Sequence, residues 1–192
     1  MRKLRTVAVA LLAVGMASTG IAVGPAAAAA AAAPYCGQIW GSLPEAAGDF
    51  TSAEITNLRT GRHACFDRLV VDLGPPVAGL PGGPVGYEVR YGQVVEDGTG
   101  AVVPVAGGAD LVIVVRANAH DVNGTPTYAP ADRLHAVNVA RYRTFRQVAF
   151  LGTFEGYTTI GLGVRARLPF RVLIVAGPGN GSRLVIDVGH RW

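Results

Sequence analysis

The stretch Pro169-Phe170-Arg171-Val172-Leu173-Ile174-Val175-Ala176-Gly177-Pro178-Gly179-Asn180-Gly181-Ser182-Arg183-Leu184-Val185-Ile186-Asp187-Val188 decides the fold class. Two aliphatic, β-branched runs flank Gly177 to Gly181, a Gly/Pro/Asn segment that favours a turn over a strand. So short a connection joins antiparallel neighbours, because parallel strands need a crossover of roughly a dozen residues or more. Side chains alternate along a strand, so Phe170, Val172 and Ile174 share one face, as do Leu184, Ile186 and Val188. Together those faces supply part of a core.

The same rhythm recurs upstream. Leu69 to Leu73 is apolar and stops at Gly74-Pro75-Pro76, which cannot continue a strand. Gly86 to Val95 reads as a strand closed by Asp97-Gly98, with Ala101 to Val105 as a short partner across the turn. Leu111 to Ala117 follows, and Phe145 to Leu151 and Tyr157 to Val164 flank Gly152 to Gly156. Residues 118–144 are more polar and form a long excursion. The helical spacing of Leu134 and Val137 predicts one short helix near Asp132 to Arg141. Short strands with frequent turns and no βαβ rhythm point to an all-β, antiparallel β-sandwich.

One heptapeptide occurs twice. Arg68-Leu-Val-Val-Asp-Leu-Gly74 and Arg183-Leu-Val-Ile-Asp-Val-Gly189 are identical at five positions, and the other two exchange aliphatic residues. We expect two equivalent strands, one in each half of a pseudo-symmetric sandwich. Positions four apart share a strand face. Each repeat should therefore pair its own Arg with its own Asp on the sheet surface.

The amino terminus reads as an export signal over residues 1–33. Arg2, Lys3 and Arg5 precede an apolar run from Val7 to Val23, and Ala26 to Ala33 offers small-residue cleavage sites. Uncleaved, the same run would be just long enough to anchor in a bilayer, and it is the only membrane contact expected. Pro34 and Tyr35 precede Cys36, where lipid attachment would require a small residue. The exported remainder, residues 34–192, is long enough for one sizeable core. Its formal charge is only +1 after the three basic groups of the leader are removed from +4, so the chain carries no nucleic-acid signature. Export places Cys36 and Cys65 in an oxidising compartment, where an intramolecular disulfide is the default.

The sequence shows no catalytic, metal or cofactor motif. No serine lies in G-x-S-x-G, and the four histidines have no ligand spacing. Gly161-x-Gly163 lies in a strand-like run and opens no helix, so no dinucleotide loop exists there. Cys65 beside His63 resembles a thiol nucleophile, but a disulfide partner removes it. Glu155 and Asp67 are the carboxylates one would test as a hydrolytic pair. Binding has better candidates. Arg141, Arg143 and Arg146 cluster, as do Arg165, Arg167 and Arg171, and guanidinium groups grip carboxylate and phosphate bidentately. Tyr87 and Tyr91 share a strand face, where they could stack on sugar rings or pack at the core rim.

Several ordered segments resemble the AMIN-like proteins exported by high-GC Gram-positive bacteria. They include Tyr35-Cys36-Gly37, Trp40-Gly41-Ser42, Gly61-Arg62-His63-x-Cys65-Phe66-Asp67, Gly86-Tyr87-x-Val89-x-Tyr91, Phe154-Glu155-Gly156, Leu168-Pro169-Phe170 and the closing Asp187-Val188-x-His190. The resemblance implies a non-catalytic β-sandwich module of the cell envelope, with peptidoglycan or another anionic wall polymer, or an envelope protein, as partner. A secreted protein-binding or inhibitory module and an envelope hydrolase of unrecognised type stand as alternatives.

Overall fold

The computed structural model describes residues 35–80 and 82–192, so the export segment read in residues 1–33 lies outside them. Nine strands follow a 3-10 turn at Tyr35–Gly37: β1 (Glu45–Ala47), β2 (Ile55–Arg62), β3 (Phe66–Leu73), β4 (Tyr87–Tyr91), β5 (Ala109–Val115), β6 (Phe145–Phe154), β7 (Tyr157–Val164), β8 (Phe170–Ala176) and β9 (Ser182–Gly189). They form a five-stranded sheet, β1-β4-β5-β7-β6, and a four-stranded sheet, β2-β3-β9-β8, every neighbour antiparallel. The sheets pack as an all-β sandwich. Leu69, Val71, Leu184, Ile186 and Val188 of one sheet and Leu111, Ile113, Ile160 and Leu162 of the other are all fully buried. In the terminal hairpin Phe170 faces Val188 and Val172 faces Ile186, as alternation requires. Ile174 belongs to the same face but runs past the core and is exposed.

The repeated heptapeptide behaves differently from expectation. Its two copies do not lie in separate halves; they are neighbours, β3 and β9, in one sheet. The pairing is antiparallel with Val70 opposite Val185, so a local two-fold runs between the copies. Each Arg consequently faces the other copy's Asp. Arg68 grips Asp187 bidentately at 2.6 and 2.9 Å, and Arg183 reaches Asp72 at 3.3 Å. The flanking strands add a second arginine to each carboxylate, Arg171 to Asp187 at 2.9 Å and Arg59 to Asp72 at 2.6 Å. Cross-strand neighbours sit closer than residues four apart on one strand, and the register selects them.

Two strands lacked a sequence signal, and a third expected strand does not form. In β2 a bulge between Ile55 and Asn57 turns Ile55 and Leu58, three apart, to the same buried face. The period of two is lost, so the segment reads as polar. β1 is three residues long. Ala101 to Val105 contributes only the bridge Val95–Val102 before folding over β7. There Val94 and Val105 occupy the space that a side chain at Gly161 would need, and the carbonyl of Ala106 fills the place a Cβ at Gly163 would take. These two glycines serve close backbone approach.

The helix expected at Asp132 to Arg141 is absent. The Asp132 carboxylate accepts from the N–H of Leu134 and His135, as an N-cap would. The chain then bonds the edge of β6 instead of itself. Ala136 N–H donates to the Val148 carbonyl at 2.8 Å, and Phe150 N–H donates to that of Arg133 at 2.7 Å. An unsatisfied strand edge outcompetes a helix supported by two apolar residues. The excursion ends by crossing to the other sheet, where the Tyr142 hydroxyl donates to Thr60 Oγ1.

Candidate functional site

At one end of the sandwich three segments meet: the β2–β3 hairpin loop, the residues leading into β6, and the chain just after β9. The hairpin loop is fixed by Cys65, bonded to Cys36 with their Cα atoms 6.1 Å apart. The carbonyl of Cys65 also accepts from the N–H of His190 and from the Gln38 amide. Tyr142 is half-buried and stacked on Phe145, while its neighbours Arg141 and Arg143, in the turn and bend that lead into β6, are exposed. Arg62 closes β2. Between these parts lies a cavity of about 300 Å³ lined by Arg62, His63, Asp67, Arg141, Arg143 and His190.

Its wall is rigid and its rim is cationic. Asp67 is buried, and its carboxylate accepts from Thr144 N–H at 2.6 Å, Phe145 N–H at 3.4 Å and His190 Nε2–H at 3.2 Å. Three N–H donors thus hold that carboxylate in place within the protein. His190 is buried beside it, and its Nδ1 has no hydrogen-bond partner. His63 stacks on Phe66 at 4.4 Å. The guanidiniums of Arg62, Arg141 and Arg143 are exposed and make no ion pair or hydrogen bond among the described residues. Every other described arginine is engaged by a carboxylate, a carbonyl or an aromatic ring.

The arginines singled out by sequence therefore separate. Arg141 and Arg143 line the cavity, but Arg146 turns back onto the carbonyls of Tyr142, Arg143 and Phe145. Arg165 donates to the His190 carbonyl, and Arg167 to the carbonyl and hydroxyl of Ser42. Arg171 belongs to the Asp187 pair. Tyr87 is buried, and Tyr91 is locked at the rim of the core. The Tyr91 hydroxyl donates to the Leu168 carbonyl at 2.8 Å and accepts from the Leu168 N–H at 3.0 Å. Burial pushes both phenols above their ordinary pKa; at Tyr91 the Leu168 hydrogen bond and the charge of Arg167 oppose the shift. Tyr87 packs in the core; Tyr91 meets Phe170 edge-to-face and, with Arg167 over its ring at 5.2 Å, lines a second cavity away from the hairpin end.

Arg62, His63, Asp67 and His190 were not read as a group from sequence. Arg62 and His63 sit in the hairpin whose first strand carries the bulge, and His190 comes from the far end of the chain. Glu155 and Asp67 do not pair. Asp67 meets the start of β6, and Glu155 follows its tenth residue, roughly 30 Å away at strand rise. Glu155 instead occupies a left-handed position, φ 49°, with Gly156 in the two-residue β6–β7 turn. Among the described residues no His, Cys, Asp or Glu group is arranged to hold a metal ion, and no helix is long and apolar enough to cross a membrane.

Comparison with curated proteins and with solved structures found no match. The AMIN-like domain model matches residues 53–190, a span that includes Arg62, Asp67, Arg141, Arg143 and His190. The chain thus belongs to the AMIN-like domain family, a cell-envelope-related group.

Proposed function

We propose that residues 34–192 act, after export and removal of the leader, as a non-catalytic module that holds an anionic wall polymer at the hairpin-end cavity. The observation that carries this reading is that the three arginines without an internal partner line one cavity. An ionic group left exposed and unpaired beside two like charges gains little for the fold and is ready to meet an external anion. The Cys36–Cys65 bridge supports an oxidising, extracytoplasmic setting.

Co-sedimentation of the purified exported protein with insoluble cell wall, across a salt series, tests the reading. Retention should fall as salt rises. Arg141→Ala with Arg143→Ala should weaken it by about tenfold or more, since each charge-assisted contact contributes roughly 1.5–3 kcal/mol. Equal retention of the double variant and the parent would overturn the proposal.

A further inference from the structure

The kind of anion follows from the donor set, given the wall-binding reading above. We propose that the cavity selects a phosphoryl group over a carboxylate. Each guanidinium presents a planar fork of N–H donors, and a single fork saturates the two oxygens of a carboxylate in one plane. Arg62, Arg141 and Arg143 approach from two separate segments, the end of β2 and the lead-in to β6. They bring three forks to one cavity of about 300 Å³. A tetrahedral phosphoryl group directs oxygens to several sides at once and, as a monoester, carries close to two negative charges. It can accept from more than one fork without leaving a guanidinium idle.

Charge balance points the same way. Asp67 lies against the cavity but is 1% exposed, is held by three N–H groups and makes no ion pair with the rim arginines, so its single charge is the only negative one facing three cations. The lining carries an excess of two positive charges when Asp67 is counted, and a dianion offsets that excess better than a monoanion does. The Arg59, Arg68, Arg171 and Arg183 set shows the contrast within the same chain. There each carboxylate is shared by two arginines, and no guanidinium is left over.

Inorganic phosphate is the probe. Titrated into the free exported protein by calorimetry, it should bind, whereas acetate at equal ionic strength should bind about tenfold more weakly or not at all. Arg141→Ala should abolish the preference. Arg90→Ala, which removes an equal charge from the exposed Glu88 pair, should retain it. In the wall assay phosphate should displace the protein at concentrations where acetate does not. Wall stripped of its phosphate esters by acid should retain less protein, and anionic phospholipid vesicles show whether a lipid headgroup is the source instead. Equal binding of phosphate and acetate, or undiminished retention on stripped wall, overturns the phosphoryl assignment while leaving the wall reading intact. Phosphate binding without retention on any wall does the reverse.

Discussion

Two sets of arginines in this molecule differ in every respect except residue type. On the outer face of the four-stranded sheet, Arg59, Arg68, Arg171 and Arg183 converge on two carboxylates. Trp40 and Phe66 cover part of that ladder, with the Arg171 guanidinium 4.4 Å from the Trp40 ring. At the hairpin end Arg62, Arg141 and Arg143 have no carboxylate, and the surroundings are held by a disulfide and by the buried Asp67–His190 contact. The first set stabilises a sheet. The second is held in place by other groups and adds nothing to its own support. Charge that a fold has already paired is structural, and charge that a fold positions but leaves unpaired is available to a ligand.

If that distinction is right, the largest loss at the hairpin end should come from its covalent support. Replacing Cys36 and Cys65 by Ala opens a loop of separation 29 and should cost about 3–4 kcal/mol in denaturant unfolding. Wall retention should fall as well, because the bridge at Cys65 fixes the hairpin loop whose Arg62, His63 and Ala64 line the cavity. In the ladder, Asp187→Asn should cost about 3 kcal/mol. It leaves Arg68 and Arg171 without a counterion around a fully buried position. Asp72→Asn, on a side chain 18% exposed, should cost no more than about 1 kcal/mol. Equal costs for the two would break the view that burial, rather than the number of arginines, sets the strength of each half. Neither Asp variant should change retention on wall.

The fold was legible where the period of two is clean. β3, β7, β8 and β9 and the Cys36–Cys65 bridge follow directly from their residues. β2 was not, because its bulge spaces Ile55 and Leu58 as no regular strand would. The sequence of 132–141 carries a real turn signal in Asp132, but the competing edge of β6 is a tertiary fact. The site was half legible for a similar reason. Arg141 and Arg143 stand out by spacing, but whether an arginine is spent depends on which carbonyl or carboxylate folding brings to it. Arg146 and Arg143 look alike in sequence. Only the path of the chain makes one a local brace and the other a free cation. The heptapeptide repeat carries the same lesson: its Arg–Asp spacing suggested pairs within each strand, and the register chose pairs between strands.

The smallest expected effects are the most discriminating. Arg62→Ala, Arg141→Ala and Arg143→Ala combined should shift unfolding by less than about 0.5 kcal/mol, since no internal partner is lost. A large loss would show that these arginines also serve the fold. The excursion that delivers Arg141 and Arg143 has its own weak pH dependence. The Asp132 carboxyl is held below its ordinary pKa, first by the His135 side chain and then by the N–H groups of His135 and Leu134. A carboxyl lowered in the folded state contributes its stability above the unfolded pKa and loses it as pH falls through the lower folded value. Acidification through the carboxylate range should therefore loosen residues 132–136 before the ladder, seen as earlier amide exchange at Ala136. Asp132→Asn should exchange faster there already at neutral pH and respond less to acid. Identical exchange in parent and variant would mean that the β6 edge alone, not the Asp132 turn, sets the path by which the two arginines reach the cavity.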